Sequence, residues 1–324
     1  MTRFLLNRLG QAIIVFLMVS AMVFGALRIL PEDPIYSIVG EDSEGYTPEQ
    51  VAKIKADYGL DKPLPVQYFD WLSAFVVGDW GNSFQNGLPV TRMINRKLPF
   101  TIQLALGALV IGVVFGISTG VVAALKRNTK WDAIATSSAM VALALPEFWL
   151  ALVLILVFSV YLDLLPVFGS ALIWQDPLFA IQSSILPWLA LGIGGAATLM
   201  RQSRSSMLET MGEDFIRTAR SKGVPERVVI IKHALRNSLL PVVTILGLRI
   251  GRIIGGAIII EVMFAIPGIG QMSVTALTKA DYPVIMAVTM ISSIAIIVAN
   301  LVTDLAYSYI DPRIRYAESK ESDD

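Results

Sequence analysis

Residues 99–125 read PFTIQLALGALVIGVVFGISTGVVAAL, without one charged side chain. An α-helix rising 1.5 Å per residue needs roughly 20 apolar residues to cross about 30 Å of hydrocarbon. This stretch is long enough, and the chain repeats the pattern. Apolar runs at 9–27, 133–162, 178–200, 239–264 and 282–309 bring the number of expected transmembrane helices to six. The third is interrupted only by Glu147, with Asp163 at its margin. Composition agrees: 55% of residues are hydrophobic and 16% charged, with a mean hydropathy of +0.64. Soluble domains carry roughly 45–50% apolar and about 25% charged residues, so both deviations point to lipid. The expected fold is an all-α membrane protein with six transmembrane helices, a cytoplasmic helix-turn-helix loop and a long external loop after the first helix.

Arg3 and Arg8 precede the first run, as they would in a secretory leader. Its apolar stretch exceeds the usual leader core of about 7–15 residues, and Arg28-Ile29-Leu30-Pro31 is a poor cleavage site. It reads as an uncleaved first span. Cysteine is absent and His233 is the only histidine, which excludes disulfide scaffolds, thiolate metal sites and histidine-rich metal centres. Equal numbers of acids and bases give no global pull toward nucleic acid.

Orientation follows from where Lys and Arg fall. Arg3 and Arg8, then Lys126, Arg127 and Lys130, then eight basic residues between Arg201 and Arg236, and Arg313, Arg315 and Lys320 occupy alternate connections. These are expected inside, with both termini cytoplasmic in a multi-pass inner membrane protein. The chain then divides into an N-terminal segment with the first helix (1–30) and an external loop domain (31–98). A five-helix transmembrane core (99–310) holds the cytoplasmic loop 201–240, and a cytoplasmic tail covers 311–324. The external loop is acidic at Glu32, Asp33, Glu41, Asp42, Glu44 and Glu49. Thr47-Pro48-Glu49-Gln50 reads as a helix start with Pro at the first position, and 68–77 as a second short helix. The loop is either a solvated cap or a docking surface for an external partner.

The loop 201–240 carries the most information. Met207, Leu208, Met211 and Phe215 recur at helical spacing, and the helix is expected to run on to Gly223, whose freedom at positive φ suits a terminating cap. Pro225 suits the start of a second helix that carries Val228, Ile231 and Leu235 toward Pro241. The product is a helix-turn-helix joined to two spans. It could be a basic loop touching anionic lipid, a DNA reader, or a docking element for a soluble motor. Tethering at both ends to a bilayer disfavours entry into a major groove.

The run Asp214-Phe215-Ile216-Arg217-Thr218-Ala219-Arg220-Ser221-Lys222-Gly223 resembles the cytoplasmic signature loop of binding-protein-dependent ABC importer permeases. His233-Ala234-Leu235-Arg236-Asn237-Ser238-Leu239-Leu240-Pro241 continues the pattern. Within that superfamily the chain looks like the dipeptide/oligopeptide/nickel branch. Gly59-Leu60-Asp61-Lys62-Pro63-Leu64-Pro65-Val66-Gln67-Tyr68, Leu145-Pro146-Glu147-Phe148-Trp149-Leu150 and Phe264-Ala265-Ile266-Pro267-Gly268-Ile269-Gly270 extend the likeness over nearly the whole chain. One departure is visible: the generic signature opens with an acid and two alanines, where this chain has Arg217, Thr218 and Ala219. That argues against the sugar and amino-acid branches.

The resemblance implies a transport subunit rather than an enzyme. It implies a second homologous permease subunit, two ABC ATPase subunits and an external solute-binding protein. Asp214, Phe215, Arg217, Thr218, Ala219, Arg220 and Gly223 would couple to the ATPases. No Gly-x-x-x-x-Gly-Lys-Ser/Thr phosphate loop is present, so ATP and Mg are expected on the partner subunits, with no cofactor or metal on this chain. Glu147, Arg249, Arg252 and Glu261 fall within spans, where a charge costs roughly 2.5–3.5 kcal/mol, so each should face protein or water. Arg249 and Arg252 share a helix face. Either they line the translocation path and attract a solute carboxylate, or they pair with Glu147 or Asp304 or snorkel inward. Pro146 predicts a kink or break in the third span. Gly247, Gly251, Gly255 and Gly256 suit close helix approach, and Pro267-Gly268 with Gly270 an outer turn. The runner-up is an ion-gradient-driven secondary transporter, which would be expected to show inverted repeats that this chain lacks.

Overall fold

The computed structural model describes residues 2–29, 47–57 and 59–310. Within them the chain is helical almost throughout: α1 Thr2–Ile29, α2 Pro48–Asp57, α3 Leu64–Val76, α4 Val90–Leu125, α5 Lys130–Ala144 and α6 Glu147–Leu154, which runs on as a π-helix over Ile155–Tyr161. There follow α7 Pro177–Gly212, α8 Asp214–Ser221, α9 Glu226–Val228 with a π-helix over Val229–Leu235, α10 Arg236–Ser238, α11 Leu240–Met263, α12 Ile269–Thr278 and α13 Tyr282–Ile310. The acids of segment 31–46 and the tail beyond residue 310, with Arg313, Arg315 and Lys320, lie outside the described residues.

Among the described residues, four helices are long and apolar enough to span a membrane: α1, α4, α7 and α13. A fifth candidate is the pair α5 and α6, bent by 106° at a short break. The bend falls where proline dictates it. Leu145, forced out of the helical region by the following ring, is extended at φ −84°, ψ 128°, and Pro146 has no N–H to continue the ladder. The expected kink is thus a full interruption of the third span. Pro99 and Pro187, by contrast, are carried inside α4 and α7. Helix α4 therefore begins at Val90, well before the charge-free run does.

The chain forms two compact units. One comprises residues 100–266 and 298–310 and is organised by α7, which packs on α5, α6 and α11. Its core gathers Leu104 and Ala108 of α4, Ala151 of α6, Leu186 and Leu191 of α7, and Ile260 and Phe264. Glycines let α4 and α7 touch backbone to backbone. A Cβ on Gly116 would meet Ala196 O at 2.7 Å, one on Gly120 would meet Met200 O at 2.6 Å, and one on Gly192 would meet Ala108 O at 2.8 Å. Gln103 ties the α6–α7 connection to α4, donating to Ala171 O at 3.0 Å and accepting from Ile173 N at 2.9 Å.

The other unit comprises residues 2–99 and 267–297. Thr47 and Gln50 cap α2 reciprocally: the Thr47 N–H donates to Gln50 Oε1 at 2.8 Å and the Gln50 N–H to Thr47 Oγ1 at 3.4 Å. Helix α3 rests on α1 through Phe24, Tyr68 and Trp71, with Ser20 and Tyr68 hydroxyls 2.8 Å apart. Val90 and Ile94 pack with Met272 and Ala276 of α12 and Val284 and Val288 of α13. Asp281, buried at the α12–α13 corner, accepts from the Ser83 hydroxyl and from Phe84 N.

Candidate functional site

At 36 residues α7 is about 54 Å long, well beyond the roughly 30 Å of a hydrocarbon core. Its last turns therefore stand clear of the apolar layer and carry a helical elbow. Helix α7 stops at Gly212. Glu213 is extended at φ −70°, ψ 150°, and its carbonyl accepts from Ile216 N and Arg217 N to start α8.

This interruption re-aims the side chains. The stripe Met207–Met211–Phe215 does not continue as one helix face: Phe215 is 42% exposed and Ile216 takes the fully buried position. Ile216 and Ala219 pack against Met207, Val229, Ala234 and the end of α4 at Ala124. In the second arm Val229 and Ala234 take the buried positions, while Val228 and Ile231 are exposed. The π-helical turn over Val229–Leu235 accounts for the five-residue spacing of that buried pair, since i→i+5 bonding departs from the 3.6-residue repeat.

Gly223 ends α8 at φ +74°, with Gly223 N donating to Arg220 O at 2.9 Å and Val224 N to Ala219 O at 3.3 Å. These are the two bonds of a Schellman cap, and Val224 and Ala219 supply its apolar contact. Pro225 is the cap residue ahead of α9, one position before the helix proper. Across the turn Arg220 grips Glu226 in a bidentate pair, Nη2–Oε1 at 2.6 Å and Nε–Oε2 at 3.1 Å. The hydrogen bonds from Arg220 hold the Glu226 carboxyl below the usual carboxylate range and raise the guanidinium in turn. Asp214, Phe215, Arg217, Thr218, Arg220 and Gly223 all lie on the exposed side of the elbow, with only Ala219 turned inward. The exposed face thus offers an acid at its helix start, an aromatic ring, two cations and a hydroxyl.

Of the four charged residues of the spans, Glu147 and Glu261 have described side chains. Glu147 opens α6 immediately after the Pro146 break, and a Cβ on Gly194 of α7 would lie 4.0 Å from its Oε1. Glu261 is fully buried in α11 and accepts the Thr101 hydroxyl at 2.6 Å. Helix α11 carries Arg249 and Arg252, but their side chains, like Gly247, Gly251, Gly255 and Gly256, lie outside the described residues. A pairing absent from the sequence reading joins α5 to α7: Arg204 Nε and Nη2 reach Asp132 Oδ1 and Oδ2 at 2.6 and 2.8 Å. Asn128 N adds a third donor to that buried carboxylate at 3.0 Å.

Long apolar helices, one pair of them bent at Pro146, and a capped amphipathic elbow at the end of a 36-residue helix define a helical transport subunit. The family of binding-protein-dependent transport system inner membrane components matches residues 112–316, and its N-terminal membrane component model matches residues 1–105. The chain belongs to this family and is a permease subunit of an ATP-driven importer, a multi-pass transport component of the inner membrane rather than an enzyme. It is 37% identical to the dipeptide transport system permease protein DppB of Escherichia coli (strain K12), over 98% of this chain and 99% of that one. It is 40% identical to a protein of Brucella abortus (strain 2308), provisionally named a peptide transport system permease, over 98% and 100% of the two chains.

Proposed function

We propose that the chain moves peptides or similar small solutes into the cell by alternating access, with α8 as the lever. In this reading α11 is the fifth of six spans, the pair α5–α6 is the third, and both termini face the cytoplasm. A second homologous permease completes the pathway, an external solute-binding protein delivers the solute, and two ATPase subunits, carrying ATP and Mg, seat on the elbows. Closure of the ATPase pair displaces α8, and α7 and α11 follow. Such coupling needs contacts that differ between the two states, since equal affinity for both would shift no equilibrium. Glu147, Arg249, Arg252 and Glu261 belong to the path or its walls, and the two arginines favour solutes that carry a carboxylate.

One observation carries the proposal: α8 is locked to its own protein on the Ile216–Ala219 side while Phe215, Arg217 and Thr218 are left outward. An elbow anchored on one face and open on the other can pass a push to α7. The chain has no cysteine, so a thiol placed at Thr218 is unique. In the assembled complex T218C should crosslink to an ATPase subunit and resist a membrane-impermeant thiol reagent added from outside. Labelling from the external side, or no crosslink with ATPase present, refutes the proposal.

A further inference from the structure

Lys126, Arg127 and Lys130 crowd the turn between α4 and α5. All three are exposed, and none joins an ion pair among the described residues. The acid nearest them in sequence, Asp132, is buried and already held by Arg204. Lys126 Nζ lies 5.3 Å from the centre of the Trp131 ring. That same ring lines a groove of about 490 Å³ between α4, α5 and α7, walled almost wholly by apolar side chains such as Phe115, Ile134 and Met200.

The dimensions of the groove decide its occupant. Along α5 its wall runs from Trp131 through Ile134 and Ser138 to Ala142, one helix face. Those residues span about 16 Å at 1.5 Å per residue, close to the depth of one leaflet in a core about 30 Å thick. A water-soluble anion would satisfy the cations but leave the slot empty. A plain hydrocarbon would fill the slot but ignore the cations. An amphiphile with an anionic head and one leaflet's length of tail meets both demands, and Trp131 sits at their junction, where indole rings favour the membrane interface. We infer that this groove is a binding site for an anionic phospholipid, its phosphate held by Lys126, Arg127 and Lys130 and one acyl chain laid along Trp131–Ala142.

The site rests only on the chain's place in the membrane, so its failure leaves the coupling role of α8 untouched, and the converse. The assembled importer, purified and titrated with phosphatidylglycerol or phosphatidylcholine, is read by native mass spectrometry. One phosphatidylglycerol should be retained in preference to phosphatidylcholine. Each basic side chain near an anionic headgroup contributes roughly fivefold, so K126Q/R127Q/K130Q should weaken retention by about a hundredfold. S138W, at an exposed position of the groove wall, should block the acyl slot and remove the tightly held lipid with the cations intact. A photo-crosslinker at Ser138 in the otherwise unaltered chain covers the case in which either variant fails to assemble. An adduct with one phospholipid supports the site. An adduct with the second permease or with transported solute, or equal retention of the two lipids, overturns it.

Discussion

Gly223→Val tests the elbow most directly. Gly223 holds φ +74°, where an L-residue other than glycine costs roughly 1–2 kcal/mol. Nothing lies within 4 Å of the position its Cβ would take, so the penalty is conformational and not a clash within the chain. Against it stand the two cap bonds, the Val224–Ala219 contact and the Arg220–Glu226 pair, whose side chains are 41% and 53% exposed and hence worth little in water. The strain is therefore comparable to what holds the turn, and about 1.4 kcal/mol moves a population tenfold. In proteoliposomes with binding protein and ATPases, G223V should hydrolyse ATP while uptake per ATP falls by about tenfold. Asparagine and alanine separate strain from obstruction of a partner. Asn tolerates positive φ better than Ala although it is larger. Strain predicts that G223N couples better than G223A; a steric block at the ATPase surface predicts the reverse. Normal coupling in G223V refutes the lever.

Three further outcomes follow from the same geometry. D132N should lower thermal stability, because it strips a buried partner from Arg204. Complete burial would make this about 3–5 kcal/mol, less here since Arg204 is 27% exposed, and R204M added to D132N should recover part of the loss. G116L should cost about 1–3 kcal/mol or more by overpacking, as the atoms it meets are Ala196 backbone and Leu199 Cβ at 2.7 Å, and the expected readout is a lower unfolding temperature of the complex. The Glu226 carboxyl is depressed in the folded elbow, so its contribution is complete above the ordinary carboxyl value near 4.5 and is lost as pH falls through the depressed one. Hydrogen exchange at Gly223 and Val224, corrected for intrinsic rate, should rise slightly over that acid range, and E226Q should show the same slight rise already at neutral pH.

The features legible in sequence are those whose cause is local. A charge-free run needs only its length, Pro146 breaks its own helix, Thr47 and Gln50 cap each other three residues apart, and Gly223 marks its own turn. What the sequence hid depends on register or on distance. No proline or turn dipeptide announces the stop at Gly212, so Phe215 looks like the next member of an apolar stripe that Ile216 actually completes. The π-helical turn sets the buried residues Val229 and Ala234 five apart, a spacing that composition does not announce. Asp132 and Arg204 meet across 72 residues, and Gln103 and Ala171 across 68, so neither pair leaves a local signature.

In the proposed mechanism the packing of α7 is what lets the elbow act at a distance. On one side its backbone is pressed against α4 at Gly116, Gly120 and Gly192, contacts with no flexible side chain to absorb a displacement. Interiors packed at this density are bistable rather than continuously deformable. On another side it faces a helix already severed at Leu145–Pro146, with Glu147 opening the second half beside Gly194. A force entering α7 from α8 would pass to α4 through these contacts and to α5 and α6, which also pack on α7, and the two extended residues of the break are where the angle between α5 and α6 would change. In the proposed mechanism the place where the path changes shape is this break. Restoring a continuous ladder there, as in Pro146→Ala, should leave the elbow and its ATPase contact intact while slowing solute passage; unaltered uptake in P146A would show that the interruption is only architectural.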